Sequence, residues 1–283
     1  MYMKLSNSSK IIIAIFTLTI TFWLCFIIAT QYTATYEGWK YQYLLKPFLI
    51  GMTILPLIGG LLGLKNALSW GGTKSVLGKS VLGVSLGLIA WAGGMVIWNY
   101  YLFFTDIEVP YPSLADAIFI LSWPLWTYGL LQLSRVIGVR FAWKNLSNKK
   151  NIFFISGIII LLSAYLIFGV ARDWGVSFSE LNIKLFFDIF YPVGSIVIST
   201  LVFLIYWLSK DFLGGIYKTS IIVLFLGFII NYASDFTFSL TTTNETYFNG
   251  HFVDFMFTVA MFTLSLGLSM LNSSILNIRQ DKK

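Results

Sequence analysis

Eight long apolar stretches, residues 11–30, 44–64, 80–104, 114–133, 152–170, 185–208, 220–240 and 252–271, hold only five charged side chains between them: Lys46, Asp116, Asp188, Asp235 and Asp254. A helix needs about 20 mostly apolar residues to cross a bilayer, and each stretch meets that length. The bilayer core has no water to satisfy backbone groups, so such stretches must close their hydrogen bonds internally, as helices. The chain therefore reads as an all-α integral membrane protein of eight transmembrane helices within residues 1–272, followed by a short basic tail, 273–283. Composition agrees: 11% of the 283 residues are charged, against about 25% in soluble domains. Pro56, Pro124 and Pro192 interrupt three spans, which is tolerable where neighbouring helices satisfy the freed carbonyls. The first span is about twice as long as the apolar core of a secretory signal, so it is expected to be retained.

Charge sets the expected orientation. With the N-terminus inside, fifteen of the nineteen Lys and Arg residues fall in the two tails and the loops after spans 2, 4 and 6. The outer side keeps Lys40, Lys46, Arg172 and Lys184. Basic residues concentrate on cytoplasmic loops, so both termini are expected in the cytoplasm and the protein in the cell membrane, as a multi-pass chain. The net charge of +7 then reflects topology and attraction to the lipid surface, with no call for a nucleic-acid partner. Cys25, the one cysteine, lies inside the first span and reads as a small buried residue.

The acids run the other way. Glu37, Asp106, Glu108, Asp173, Glu180 and Glu245 fall in outer loops, and only Asp211 and Asp281 on the inner side. Asp116, Asp188 and Asp254 open spans 4, 6 and 8 in aromatic-rich contexts, "LADAIFILSWP", "FFDIFYPVGS" and "FVDFMFTVAM". One such interval further back stands Lys46, in "LLKPFLIGM". The pattern suggests an internal repeat of four helical hairpins, about 11–64, 80–133, 152–208 and 220–271, whose second helices open with Lys, Asp, Asp and Asp. Asp235 sits near the outer end of span 7. Ionisable groups at such depth face a bundle interior or a wet cavity and pair there. Lys46 is the first candidate partner, with Arg172 and Lys184 after it.

Each residue also has a plainer reading. Ser113 and Asp116 have the spacing of a capping box, and an acid suits the positive end of a helix. Leu185 and His251, three residues before Asp188 and Asp254, are poor capping partners. Trp98, Tyr100 and Tyr101 can form an interfacial aromatic belt. Asn99 wants a partner at that depth, and Asn99-Tyr100 has a counterpart in Asn231-Tyr232. Trp123 and Trp126 either line a cavity or face lipid. Gly59-x-x-x-Gly63 and Gly83-x-x-x-Gly87 permit close helix approach. His251, the one histidine, is a surface residue or, paired with Asp254, a pH sensor.

Several chemistries lack their residues. One histidine is too few for a multi-histidine zinc site or a haem bundle. The sequence contains no G-x-S-x-G, H-E-x-x-H or P-loop pattern, and no mid-span lysine for a retinal. No cofactor or catalytic residue is expected.

Residues 93–133 carry a resemblance. Trp98, Tyr100 and Tyr101 at a helix end, then Pro110, Pro112, Ser113, Ala115 and Asp116, then Pro124 in an aromatic helix, are similar to the multi-pass N-terminal membrane sensor regions of some bacterial and archaeal histidine kinases and diguanylate cyclases. The resemblance implies a sensor-like membrane module. "NSSILNIRQDKK" after the last span contains no HAMP-like linker, kinase or cyclase, so signalling through a separate partner is expected. The resulting expectation is an outward cavity formed by Asp116, Asp188, Asp235, Asp254 and Lys46 with Trp98, Asn99, Tyr100, Asn231 and Tyr232, taking a cation, an amine or a lipid headgroup. The alternative is a transporter or an accessory subunit of a larger membrane complex. Ser195 and Ser199, expected in the inner half of span 6, would then matter for transport and not for an outward site.

Overall fold

The computed structural model describes residues 6–32, 38–105, 109–139, 149–175, 183–210, 213, 215 and 217–272. Every regular element among them is helical, and eight helices are long and apolar enough to cross a membrane. Helix α1 is Asn7–Tyr32. Helix α2 is Gly38–Ser69, with a π-helical turn at Tyr41–Leu45. Helix α3 is Val76–Phe104, and α4 is Leu114–Val136, broken at Ile120 and Leu121. Helix α5 runs as Lys149–Ala164 and ends in a π-helical stretch, Tyr165–Ala171. Helices α6, α7 and α8 are Ile183–Ser209, Lys218–Thr243 and Phe252–Met270. The basic tail and the loop acids Glu37, Asp106, Glu108 and Glu180 lie outside the described residues.

Six helices close into a ring in the order α2, α3, α4, α6, α7, α8, with α8 packed back on α2. Helix α1 lies outside, against α2 and α8, and α5 outside, against α6 and α7. Phe16 stacks on Phe262 at 4.0 Å and Trp23 on Phe255 at 4.6 Å, which seats α1 on α8.

Small residues set the closest approaches, as the two Gly-x-x-x-Gly pairs suggest. A Cβ on Gly83 would stand 2.8 Å from the Cα of Gly129 on α4. Gly59 faces Ser265 on α8, Gly63 faces Ser85 on α3, and Gly87 makes room for the Trp126 indole. The break in α4 has a local cause. Pro124 lacks an N–H and its ring collides with the carbonyl four residues back, so the helix stops and restarts with Pro124 in its first turn, where no N–H is needed.

Helix α2 departs from expectation. It starts at Gly38, so Lys46 is its ninth residue and not its opening one. Asp116 and Asp254, by contrast, are each the third residue of their helix.

Candidate functional site

The ring encloses a cavity of about 550 Å³ at the end of the bundle where α3, α5 and α7 finish and α4, α6 and α8 begin. Asp116, Asp188, Asp235 and Asp254 all line it. Four carboxylates from four helices thus converge, and Trp98 joins them. One face of α6 runs down the wall: Lys184, Asp188, Tyr191 and Ser195 all line the cavity, spaced by four, three and four residues as one helical stripe requires.

The carboxylates are held in two ways. Asp116 is buried, and both its oxygens are engaged. Its Oδ2 accepts from the Ser113 N–H at 2.7 Å and the Ser113 hydroxyl at 2.9 Å, closing the capping box. Its Oδ1 accepts from the Tyr191 hydroxyl at 2.8 Å. Asp254 repeats the scheme at the start of α8: Oδ2 accepts from the Gly250 N–H at 2.6 Å and Oδ1 from the Tyr247 hydroxyl at 3.0 Å. Gly250 is fixed there by its backbone. Its φ is +92°, and a Cβ would lie 2.6 Å from a ring carbon of Phe26, while its carbonyl accepts from Trp23 Nε1 at 3.0 Å. So α8 does have a cap, contrary to the reading of His251 as a poor one: His251 Nδ1 accepts from the Val253 N–H at 3.3 Å. That bond, and the two partners already on Asp254, leave no His251–Asp254 pair.

Among the described residues, Asp188 and Asp235 are each bound through one oxygen. Asp188 Oδ1 accepts from the Tyr111 hydroxyl at 2.8 Å and pairs with Arg172 Nη1 at 3.1 Å. This clasp joins the α3–α4 connection, the end of α5 and the start of α6 at the cavity mouth. It is the one ion pair among the described residues. Burial, with the hydrogen bond to Asp188 second, pushes the Tyr111 hydroxyl well above the usual tyrosine range. Burial, with the Asp254 charge second, does the same for Tyr247. Asp235 Oδ2 accepts from Ser195 Oγ at 2.6 Å and from Asn231 Nδ2 at 3.1 Å. Asp235 lies eight residues before the end of α7, about 12 Å down at 1.5 Å per residue.

Other expected residues sit elsewhere. Lys46 meets no carboxylate among the described residues; its Nζ lies over the rings of Tyr41 at 5.3 Å and Phe103 at 5.2 Å, a cation–π site within the α2–α3 contact. Asn99 is likewise part of that contact, donating to Thr53 Oγ1 at 2.8 Å and the Leu49 carbonyl at 3.2 Å. Tyr100 is 56% exposed against Tyr101 and Phe104, as a belt residue would be. Asn231 supports Asp235 from behind. The Tyr232 hydroxyl is buried without a hydrogen-bond partner among the described residues, and Tyr232 does not line the cavity. Ser195 was expected away from the site, yet it is cavity wall; Ser199 is not.

The floor is aromatic. Trp91 lies 5.6 Å from Phe119 and 6.0 Å from Phe257, and Trp123 stands 5.1 Å edge-on to Tyr191. Beneath them Trp126, fully buried, packs on Trp123 at 6.2 Å and Phe228 at 5.6 Å. The four acids are spread around the wall: no three His, Cys, Asp or Glu among the described residues stand close enough together to hold a metal ion.

Sequence reasoning missed Tyr111, Tyr191, Tyr247 and Gly250. Tyr191 was within reach, being on the Asp188 stripe of α6. The others depend on connections that only tertiary structure places. Comparison with known protein families, curated proteins and solved structures returns no match.

Proposed function

We propose that this chain is a sensor-like ligand-binding module of the cell membrane, with the cavity facing outward and both termini in the cytoplasm. The observation that carries the reading is the convergence of Asp116, Asp188, Asp235 and Asp254 on one cavity of about 550 Å³, a size typical of small-molecule sites. Polar groups that converge in an otherwise apolar pocket fix a ligand's orientation. The charge bias of the loops supports the outward direction. The four-hairpin repeat is part of the reading, with the hairpins acting as two pairs around the ring.

Ligand binding would change how α5 and α6 meet the α3–α4 connection through the Asp188 clasp, and a separate cytoplasmic or membrane partner would read the shift at the far ends. Such a switch requires different affinity for two packings of the ring. The residues that resemble sensor regions contribute here: Trp98, Pro110 and Asp116 line the cavity. The receptor reading is favoured over carriage by the floor, where Trp123, Trp126 and Phe228 stand between the cavity and the inner half.

The test is thermal unfolding of the purified chain against a panel of metal cations, amines and lipid headgroups, for wild type and for Asp188→Asn with Asp235→Asn. A binder of the folded state raises Tm by mass action. The reading expects a compound that stabilises wild type and not the double variant, with no flux of that compound across proteoliposomes. Flux that depends on Ser199 would favour the transporter instead.

A further inference from the structure

We infer that the cavity takes an amphiphilic amine: one protonated nitrogen seated on Asp235, with an apolar, preferably aromatic body laid along the floor. The inference rests on the ligand-binding reading and names the ligand's chemistry.

The case starts from what each charged group already does. Asp116 and Asp254 have both oxygens engaged by backbone N–H groups, hydroxyls and helix caps. Arg172 and Asp188 are paired with each other. Among the described residues, Asp235 alone of the four is without a cap, a tyrosine hydroxyl or a cation within ion-pair distance. Its Oδ2 takes two donors from Ser195 and Asn231, and its Oδ1 takes none from the described residues. Ser195 spends its proton on Asp235 and accepts from Trp123 Nε1 at 3.4 Å. A hydroxyl oxygen has two lone pairs, so one remains. The deep end of the cavity therefore presents an uncommitted carboxylate oxygen beside a hydroxyl oxygen with a lone pair to spare. An ammonium group, with several N–H donors and a positive charge, matches both.

The wall excludes the simpler cations. Met52, Trp91, Met95, Phe119 and Phe257 line the same space, and they replace nothing that a hydrated inorganic ion would lose. The dispersed acids offer no multidentate set for a divalent metal. Rings do suit an organic cation, whose charge they attract by their faces and whose body they cover. An anionic ligand would find Lys184 and the Asp188-paired Arg172 against four lining carboxylates.

The experiment uses the full chain in lipid nanodiscs. Tryptophan fluorescence, to which cavity-lining Trp91, Trp98 and Trp123 contribute, is titrated with phenethylamine, 2-phenylethanol, phenylacetate, methylammonium and calcium. The expected result is saturable quenching by phenethylamine, with at least tenfold weaker response to each of the other four. Asp235→Asn, which keeps the shape and the Ser195 contact, is expected to weaken phenethylamine at least tenfold without lowering Tm appreciably. Ser239→Phe, which fills the cavity from the α7 wall, is expected to abolish it. Equal binding of 2-phenylethanol, or undiminished binding by Asp235→Asn, overturns the amine assignment. If phenylacetate, calcium or methylammonium titrates the cavity and phenethylamine does not, the assignment of an amphiphilic amine falls and the ligand-binding reading stands. If no probe acts on wild type at any concentration short of unfolding, both fall.

Discussion

Asp116 and Asp254 stand at the third position of α4 and α8, while Asp188 and Asp235 stand deeper in α6 and α7, and the two pairs do different work. At the helix starts, free N–H groups point out of the first turn and draw a carboxylate into a cap. Both oxygens are then consumed, one by backbone and one by a tyrosine hydroxyl. Deeper in a helix every N–H is already bonded, so a carboxylate must find side chains, and it keeps an oxygen to spare. Four acids that look alike in sequence thus divide into two with both oxygens engaged at helix starts and two bound through a single oxygen by the described residues.

The division is open to attack by substitution. The largest expected effect is at the glycine that serves the α8 cap. Gly250→Val places a β-branched side chain at a φ of +92° against Phe26 and Leu45, and strain plus overpacking should cost roughly 4 kcal/mol in unfolding experiments in mixed micelles. Asp254→Ala, by leaving the Gly250 N–H and Tyr247 hydroxyl buried and unpaired, should cost about 3 kcal/mol. Asp116→Ala should cost about 2 kcal/mol, the loss of a cap and of a partner for Tyr191. Asp188→Asn should cost no more than about 1 kcal/mol, because its partly exposed pair with Arg172 is screened. If the Asp188 variant is the least stable of these, the two-class division is wrong.

The smallest effect is on pH. Tyr111 and Tyr247 hold their protons more tightly folded than unfolded. Their contribution is complete below about pH 10, the ordinary tyrosine value. Above it the unfolded chain loses protons that the folded chain keeps, so stability falls as pH rises. Alkaline melting curves should show that slope for wild type and a shallower one for Tyr111→Phe.

The spans were legible because charge is so costly in a bilayer that five charged residues in eight stretches leave little choice. Their ends were less so. Helix α2 begins six residues before the expected 44 because Trp39, Lys40 and Tyr41 continue the helix through a π turn, and that shift takes Lys46 out of register with the acids. The sequence placed Asp116, Asp188, Asp235 and Asp254 at one end of the bundle but left open whether they converge; the structure lines one cavity with all four. Their partners were not legible: Tyr191 reaches Asp116 across 75 residues of sequence. Ser195 was misplaced for a measurable reason. It is twelve residues beyond Ile183, about 18 Å down the helix, and the cavity extends that far.

The most direct test of the central claim, that these acids share a cavity open to the outer face, is chemical access to its wall. Ser239→Cys in a Cys25→Ala background puts one thiol on the α7 side of the cavity. In intact cells a membrane-impermeant maleimide added outside should label it, and phenethylamine should slow the labelling. Labelling only after the membrane is permeabilised, or none even then, would contradict the account.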